Sequence, residues 1–285
     1  MSASTMTAAQ WLQQAQPLDA LTALTEEVRA RPGDSRLRVF MVQLLCVLGR
    51  WERALTQLDV AAELDALAVP MKQVYGDAIR CEALRAEVFA GRRTPLVLGE
   101  PPAWLALLAQ SLRQGGGGDW AQADVLRQRA FDAAPGLTGR LHDDQGEHAF
   151  AWLADADMRL GPVLEAFVHG RYYWVPLERL ARVRLDPPED LRDAVWMPAH
   201  LDLRGGGEAL ALIPTRYPGS ERCEEGVLAL ARRTEWVESA PGVWHGLGQR
   251  VLATDQGEHA LMDVREIVLD EPNAEAVAET ESSPT

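Results

Sequence analysis

The sequence predicts an α+β protein: an α-helical repeat domain over 1–135, a strand-rich domain over 136–270 and an acidic tail over 271–285. Three observations carry this reading. Apolar residues recur at helical spacing through the first half, in paired segments repeated at a constant offset. After Pro135 that period gives way to short apolar runs divided by turn signals. The tail, EPNAEAVAETESSPT, is acidic and has no aromatic residue, a composition expected to be disordered because it has too little apolar surface to bury.

The helical elements come first. Leu37, Phe40, Met41, Leu44, Leu45 and Leu48 share one face, and after Gly49-Arg50 so do Trp51, Ala54, Leu55, Leu58, Ala61 and Ala62. Two amphipathic helices joined by a short turn make an αα-hairpin. Trp11, Ala20, Leu24 and Pro32 precede Leu45, Ala54, Leu58 and Ala66 by 34 residues each, the period of the tetratricopeptide repeats that this region resembles. The small residue lets two helices approach closely, and the stop twelve positions later ends the second helix. PPAWLALLAQSL and GDWAQADVLRQRAFDAAP read as a third unit, while a helix around Met71–Gly91 and the loop TPLVLGEPP interrupt a strict array. Stacked first helices form a concave groove for a peptide or helix. In the second unit the register places Arg36, Val39, Gln43 and Cys46 on that groove. The plainer reading is that the helices only bury one another, with Cys46 a small apolar residue. Gly115–Gly118 is not followed by Lys-Ser or Lys-Thr and joins helix to helix, so it reads as a flexible connector and not a phosphate loop.

The strand elements follow in HAFAWLAD, PVLEAFV, YYWVP, ARVRLD, EALALIP, QRVLAT and EIVLD, with HGR at 169–171 and RGGG at 204–207 as connections. Their spacing predicts antiparallel hairpins in a compact sheet or small barrel. The hexapeptide DQGEHA occurs twice, at Asp144–Ala149 and Asp255–Ala260. Two carboxylates and a histidine within five residues could ligate a metal or do acid/base work. Both copies, however, lie between strand-like segments, where Asp opens a turn, Gly closes it with a positive φ, and Glu and His start a solvated outgoing strand. The hairpin-turn reading is preferred; tight zinc binding lost on changing His148 and His259 would overturn it. Ser220 in PGSER lacks a nucleophile elbow. Asp155 and Asp157 could pair as carboxylates, but bonds to Arg159 or backbone amides explain them more simply. His169, His200 and His245 stand alone. No catalytic residue, metal or cofactor is expected.

A net charge of −14, from 28 basic against 42 acidic residues, argues against a nucleic-acid partner, because phosphate neutralisation needs a basic face. Cys46, Cys81 and Cys223 are odd in number and widely spaced, which fits a reducing compartment. No charged leader precedes the first cation, Arg29, and no apolar run reaches the roughly 20 residues that span a bilayer. The expectation is a cytoplasmic protein with no membrane partner.

One stretch is distinctive: WLADADMRLGPVLEAFVHGRYYWVPLERLARVRLDPPEDLRDAVWMPAHL. Together with LIPTRYPGSE, ARRTEW, GLGQR and the N-terminal GRWERALTQLD and IRCEALRAEVFAG, it resembles the ImpE/TagJ family of type VI secretion accessory proteins. The resemblance implies a tetratricopeptide-like domain, a family-specific α+β domain and a non-enzymatic cytoplasmic role in a Gram-negative bacterium. It implies association with the small sheath subunit of the contractile tail, through that subunit's N-terminal helix. Through the sheath it also implies an indirect link to the AAA+ ATPase that recycles it. Arg159, Glu165, Trp174, Arg192, Asp193, Trp196, Arg216 and Tyr217 mix charge and aromatics and form a second candidate partner surface. Their structural reading is that Trp174 and Trp196 are core and that Arg192 and Asp193 form a buried pair linking strands. A scaffold for another peptide, or a metal-dependent hydrolase using Asp155, Asp157 or the histidines, is the alternative.

Overall fold

The computed structural model describes residues 6–271, so nearly all of the expected acidic tail lies outside the described residues. The chain opens with α1 (Ala8–Gln13), α2 (Pro17–Ala30), α3 (Ser35–Val47), α4 (Trp51–Leu64) and α5 (Val69–Phe89). A short strand, β1 (Leu96–Val97), then precedes α6 (Ala103–Gly116) and α7 (Trp120–Ala133). Local chemistry sets the starts. Asp34 accepts from the Arg36 and Leu37 amides, Asp119 accepts from the Gln122 amide, and Pro17 occupies the first turn of α2. Ala20, Leu24, Ala54 and Leu58, the repeated small-and-large positions, are all fully buried between helices.

The tetraglycine is more ordered than a flexible connector. Gly115 and Gly116 belong to α6, and a Cβ on Gly116 would lie 2.4 Å from the Ala90 carbonyl oxygen. Gly117 and Gly118 make the turn, and of the four only Gly118, at φ +86°, takes the left-handed conformation.

The second half holds β2 (Gly139–Asp143), β3 (Gly146–Phe150), β4 (Leu153–Asp155), β5 (Val163–Val168), β6 (Arg171–Pro176), β7 (Leu180–Leu185), β8 (Trp196–Leu203) and β9 (Glu208–Pro214). A short helix α8 (Gly226–Ala229) leads to β10 (Thr234–Ala240), β11 (Val243–Gly248), β12 (Val251–Thr254), β13 (Gly257–Ala260) and β14 (Val264–Leu269). The large sheet is open and runs β1-β6-β5-β9-β8-β7-β14-β2-β3; β13-β12-β4 and β10-β11 form separate small sheets. HGR and RGGG are hairpin tips, β5 to β6 and β8 to β9, as their turn residues predict. The expected loop TPLVLGEPP instead supplies β1, which pairs parallel to β6 through Leu96↔Tyr173 and Val97↔Trp174. The helical half thus adds an edge strand to the sheet.

β5 is buried at all six positions. Val163 and Phe167 face the helices and join their core, whereas Leu164, Ala166 and Val168 point to a second core with Leu252 and Leu261. This period-2 alternation puts Glu165 on the helix-facing side.

Candidate functional site

The helix-facing side of the sheet is held by a buried ionic seam. Arg85, on α5, donates from Nε to Glu165 Oε1 at 2.7 Å and from Nη2 to Glu165 Oε2 at 2.9 Å. The same Nη2 donates to the Arg216 carbonyl at 2.9 Å. Arg250, just before β12, reaches Glu165 Oε2 at 3.3 Å and Asp155 Oδ2 at 2.6 and 2.9 Å. The Tyr172 hydroxyl donates to Glu165 at 2.6 Å, and Tyr217 donates to Asp155 at 3.0 Å. Asp157 accepts from Arg159 at 2.6 and 2.9 Å and from the Gly246 amide at 2.9 Å. Asp155 and Asp157 therefore do not pair as carboxylates; each is neutralised by its own arginine, Arg250 for one and Arg159 for the other.

Arg216 does a different job. Its guanidinium donates to the Cys46 carbonyl at 2.8 Å and the Val47 carbonyl at 2.6 Å, and also to the Ala229 carbonyl. The last carbonyls of a helix have no partner within it, so this arginine caps α3 from the far half of the chain. Trp196 donates to Glu82 at 2.9 Å and packs on Trp51 and Tyr75, with ring centroids 6.1 and 6.0 Å apart.

These contacts correct the groove expected over the second helical unit. Met41 to Val47 are all buried, so the C-terminal half of α3 is covered all round. The turn Leu191–Ala194 and the Arg216 side chain lie against it from the sheet half. Gln43 and Cys46 are enclosed, burial pushes the Cys46 thiol well up, Val39 is half-buried, and Arg36 is exposed. Of the second candidate set, Glu165, Trp174, Asp193, Trp196, Arg216 and Tyr217 are buried. Arg192 and Asp193 do pair, at 2.7 and 2.9 Å, but within one turn and not between strands. The Arg159 guanidinium lies over the Phe89 ring, 4.9 Å from its centroid. Arg85 and Arg250 were not singled out from sequence, although both sit in quoted segments, IRCEALRAEVFAG and GLGQR.

Burial opposes the ionised form of Glu165, but Arg85 beside it holds its carboxyl below the usual range. Burial likewise opposes Asp157, and Arg159 outweighs it. Asp155 goes the other way: burial raises it to about 6 against the pull of Arg250, with the Asp157 charge adding to the rise. The signs differ accordingly. Stability contributed by Glu165 and Asp157 is present above about pH 4.5 and is lost as pH falls through their depressed values. Asp155 favours the folded state as pH falls from above 6 towards about 4, the usual value of a free aspartate. Urea midpoints should therefore hold or rise between pH 7 and 5 and drop steeply below 4. A steady fall beginning at pH 6 would contradict this assignment.

An open groove of about 380 Å³ lies elsewhere. It is lined by Val74, Asp77 and Ala78 of α5, by the tip His169-Gly170, and by Ala199, His200 and Leu210–Leu212 of β8 and β9. Arg192 reaches its lining too. Val74 and Leu210, 47% and 67% exposed, leave aliphatic surface open at the groove. His169 and His200, isolated in sequence, are brought to this one groove. Ser220 is not a free nucleophile: its hydroxyl donates to the Tyr217 carbonyl at 2.6 Å and accepts from the Gly248 amide at 2.8 Å.

Fold and site together define a class: a helical-repeat protein whose repeat is locked by buried ion pairs onto a mostly antiparallel sheet, leaving an apolar groove where the halves meet. Residues 147–268 match the family described as ImpE protein. The chain is 51% identical over 249 residues to the type VI secretion system accessory component TagJ of Pseudomonas aeruginosa, covering 87% of this chain and 86% of that one. The crystal structure of protein VPA1032 from Vibrio parahaemolyticus superimposes with a TM-score of 0.82 at 25% identity, covering 94% of this chain and 98% of that one. The chain belongs to the ImpE/TagJ family. No helix among the described residues is long and apolar enough to cross a membrane.

Proposed function

We propose that this chain is a non-enzymatic, cytoplasmic adaptor of the type VI secretion machinery. In this reading the groove between α5 and strands β8 and β9 receives the N-terminal helix of the small sheath subunit. The kinship with a protein named as an accessory component of that system carries the reading. The groove supports the recognition mode, because an amphipathic helix sets apolar anchors at i, i+3 or i+4 and i+7 into such a floor while its polar face meets a charged rim. Asp77, Arg192, His169 and His200 supply that rim. The helical segment 1–135 and the sheet segment 136–270 act together, since each contributes residues to the lining. A net charge of −14 favours a basic partner and speeds its association. Holding the helix would control when the subunit enters the sheath or is offered to the recycling ATPase.

The test is retention of the purified small sheath subunit, intact and lacking its N-terminal helix, on the immobilised full chain. The intact subunit should be retained and the truncated one lost. Leu210→Asp should weaken binding by about 10- to 100-fold, the effect of a buried apolar anchor worth roughly 1–3 kcal/mol, and Arg36→Ala should leave it unchanged. Equal retention of both subunit forms would remove helix recognition, and failure of the intact subunit to bind would remove the partner.

A further inference from the structure

The two copies of DQGEHA form hairpin turns, β2 to β3 and β12 to β13, and Gly146 and Gly257 take φ of 137° and 149° as the turn reading requires. The expectation of solvated outgoing strands holds for Glu147 and Glu258, both exposed, and in part for His148, whereas His259 is buried. The hairpins belong to different sheets, yet they meet, and the same position of each copy contributes to one cluster. His148 Nε2 lies 3.0 Å from Asp143 Oδ1, and His259 Nδ1 lies 2.8 Å from Asp143 Oδ2. The two imidazole centroids are 5.0 Å apart.

We propose that Asp143, His148 and His259 form a binding site for a divalent transition-metal ion, with zinc as the favoured occupant. Each residue offers one ligand atom, and the three atoms lie within 4.8 Å of one another. Ligand atoms about 2.0–2.2 Å from a common tetrahedral zinc stand roughly 3.3–3.6 Å apart, so small side-chain adjustments suffice. The carboxylate is positioned in advance: Asp143 is buried, and its Oδ1 accepts from the Gln145 and Gly146 amides at 2.8 and 3.2 Å. Two imidazoles and one carboxylate suit zinc and its first-row neighbours and are a poor match for magnesium or calcium, which take oxygen ligands.

His259 is 8% exposed, and its Nε2 is buried without any hydrogen-bond partner. Among the described residues, the other buried unpartnered side-chain atoms are guanidinium Nε groups. The ion would meet His259 at Nδ1, the nitrogen that faces Asp143, with the ring proton on Nε2. His148 has a side chain 31% exposed, which leaves the cluster open to solvent on one side for entry of the ion and for a water as fourth ligand. The metal would replace the imidazole-to-carboxylate hydrogen bonds, so binding releases or relocates those protons and weakens as pH falls. Its role would be to staple the β2–β3 hairpin, at the end of the large sheet, to the β12–β13 hairpin, beside Arg250 of the seam.

The proposal is independent of the sheath reading and is tested without any partner. The full chain, stripped with a chelator, is titrated with zinc alone and, for spectroscopy, with cobalt(II) alone. One zinc per chain should bind, with a rise in Tm of roughly 5 °C at an excess of metal, and cobalt should give the visible absorption of a low-symmetry nitrogen/oxygen site. His259→Ala and Asp143→Asn should each weaken binding by about 10- to 100-fold or more. His142→Ala, on the exposed neighbouring position of β2, should bind as the unmodified chain does. If a variant fails to fold, the unmodified chain still decides. Absence of zinc binding there, or retention of zinc by a folded His148→Ala/His259→Ala double variant, overturns the site.

Discussion

Glu165→Ala should lower the unfolding free energy by about 3–5 kcal/mol, the cost of removing one partner from a buried ion pair. The loss is large because three groups depend on one carboxylate. Arg85 and Arg250 would keep buried positive charge with less compensation, and the Tyr172 hydroxyl, which itself accepts from Trp174 at 2.7 Å, would lose its acceptor. In a chain of this length the change corresponds to a fall in Tm of roughly 6–15 °C. Glu165→Gln keeps the shape and one acceptor, so it should fall between the two. Urea denaturation followed by circular dichroism measures both. A loss under about 1 kcal/mol for the alanine variant would show that the seam contributes specificity of docking and little stability.

The second large effect is expected at Trp196→Ala, again about 3–5 kcal/mol, the usual range for deleting a large buried aromatic side chain. Trp196 is fully buried at the start of β8, against Trp51 of α4 and Tyr75 of α5. Its removal opens a cavity between the helical half and the sheet and leaves Glu82 without its indole donor. Trp196→Phe refills much of the volume without restoring the donor and should recover most, but not all, of the loss. Limited proteolysis offers an independent reading: cleavage should appear first near the junction, around Pro135 to Gly139. Unchanged proteolysis with a destabilised alanine variant would argue that the two halves unfold together and never separate.

Much of this fold was legible from residues read in order. Ala20, Leu24, Ala54 and Leu58 announce the helical hairpins because close helix contact demands small and large residues at fixed spacing, which is local information. HGR, RGGG and DQGEHA announce turns because few residues accept positive φ. Several strands were less visible for physical reasons. β8, WMPAHLDL, carries a proline, and β10, TEWVESA, has no position fully buried, so its face pattern carries no core signal. β1 is only two residues long and depends on β6 to exist.

The candidate sites divide along the same line. Register placed Arg36, Val39, Gln43 and Cys46 on a groove of the helical repeat; Gln43 and Cys46 are buried, and register says nothing about what covers them. The occupant is the turn Leu191–Ala194 with Arg216, some 150 residues further on, and long-range docking of that kind leaves no periodic trace. The Arg85–Glu165–Arg250–Asp155 chain joins four distant segments, and each of its charges, read alone, looks like an ordinary surface residue.

Short-range spacing carried the helical hairpins, the strand-rich second half and the two DQGEHA turns, and the resemblance of the motif block carried the family. Contacts between distant segments fill the face of α3 at Gln43 and Cys46, open an apolar groove between α5 and the sheet, and bring His148 and His259 to Asp143. Those outcomes depend on which faces meet once apolar area is buried and every buried charge has found its counter-charge, and neither condition can be evaluated one segment at a time.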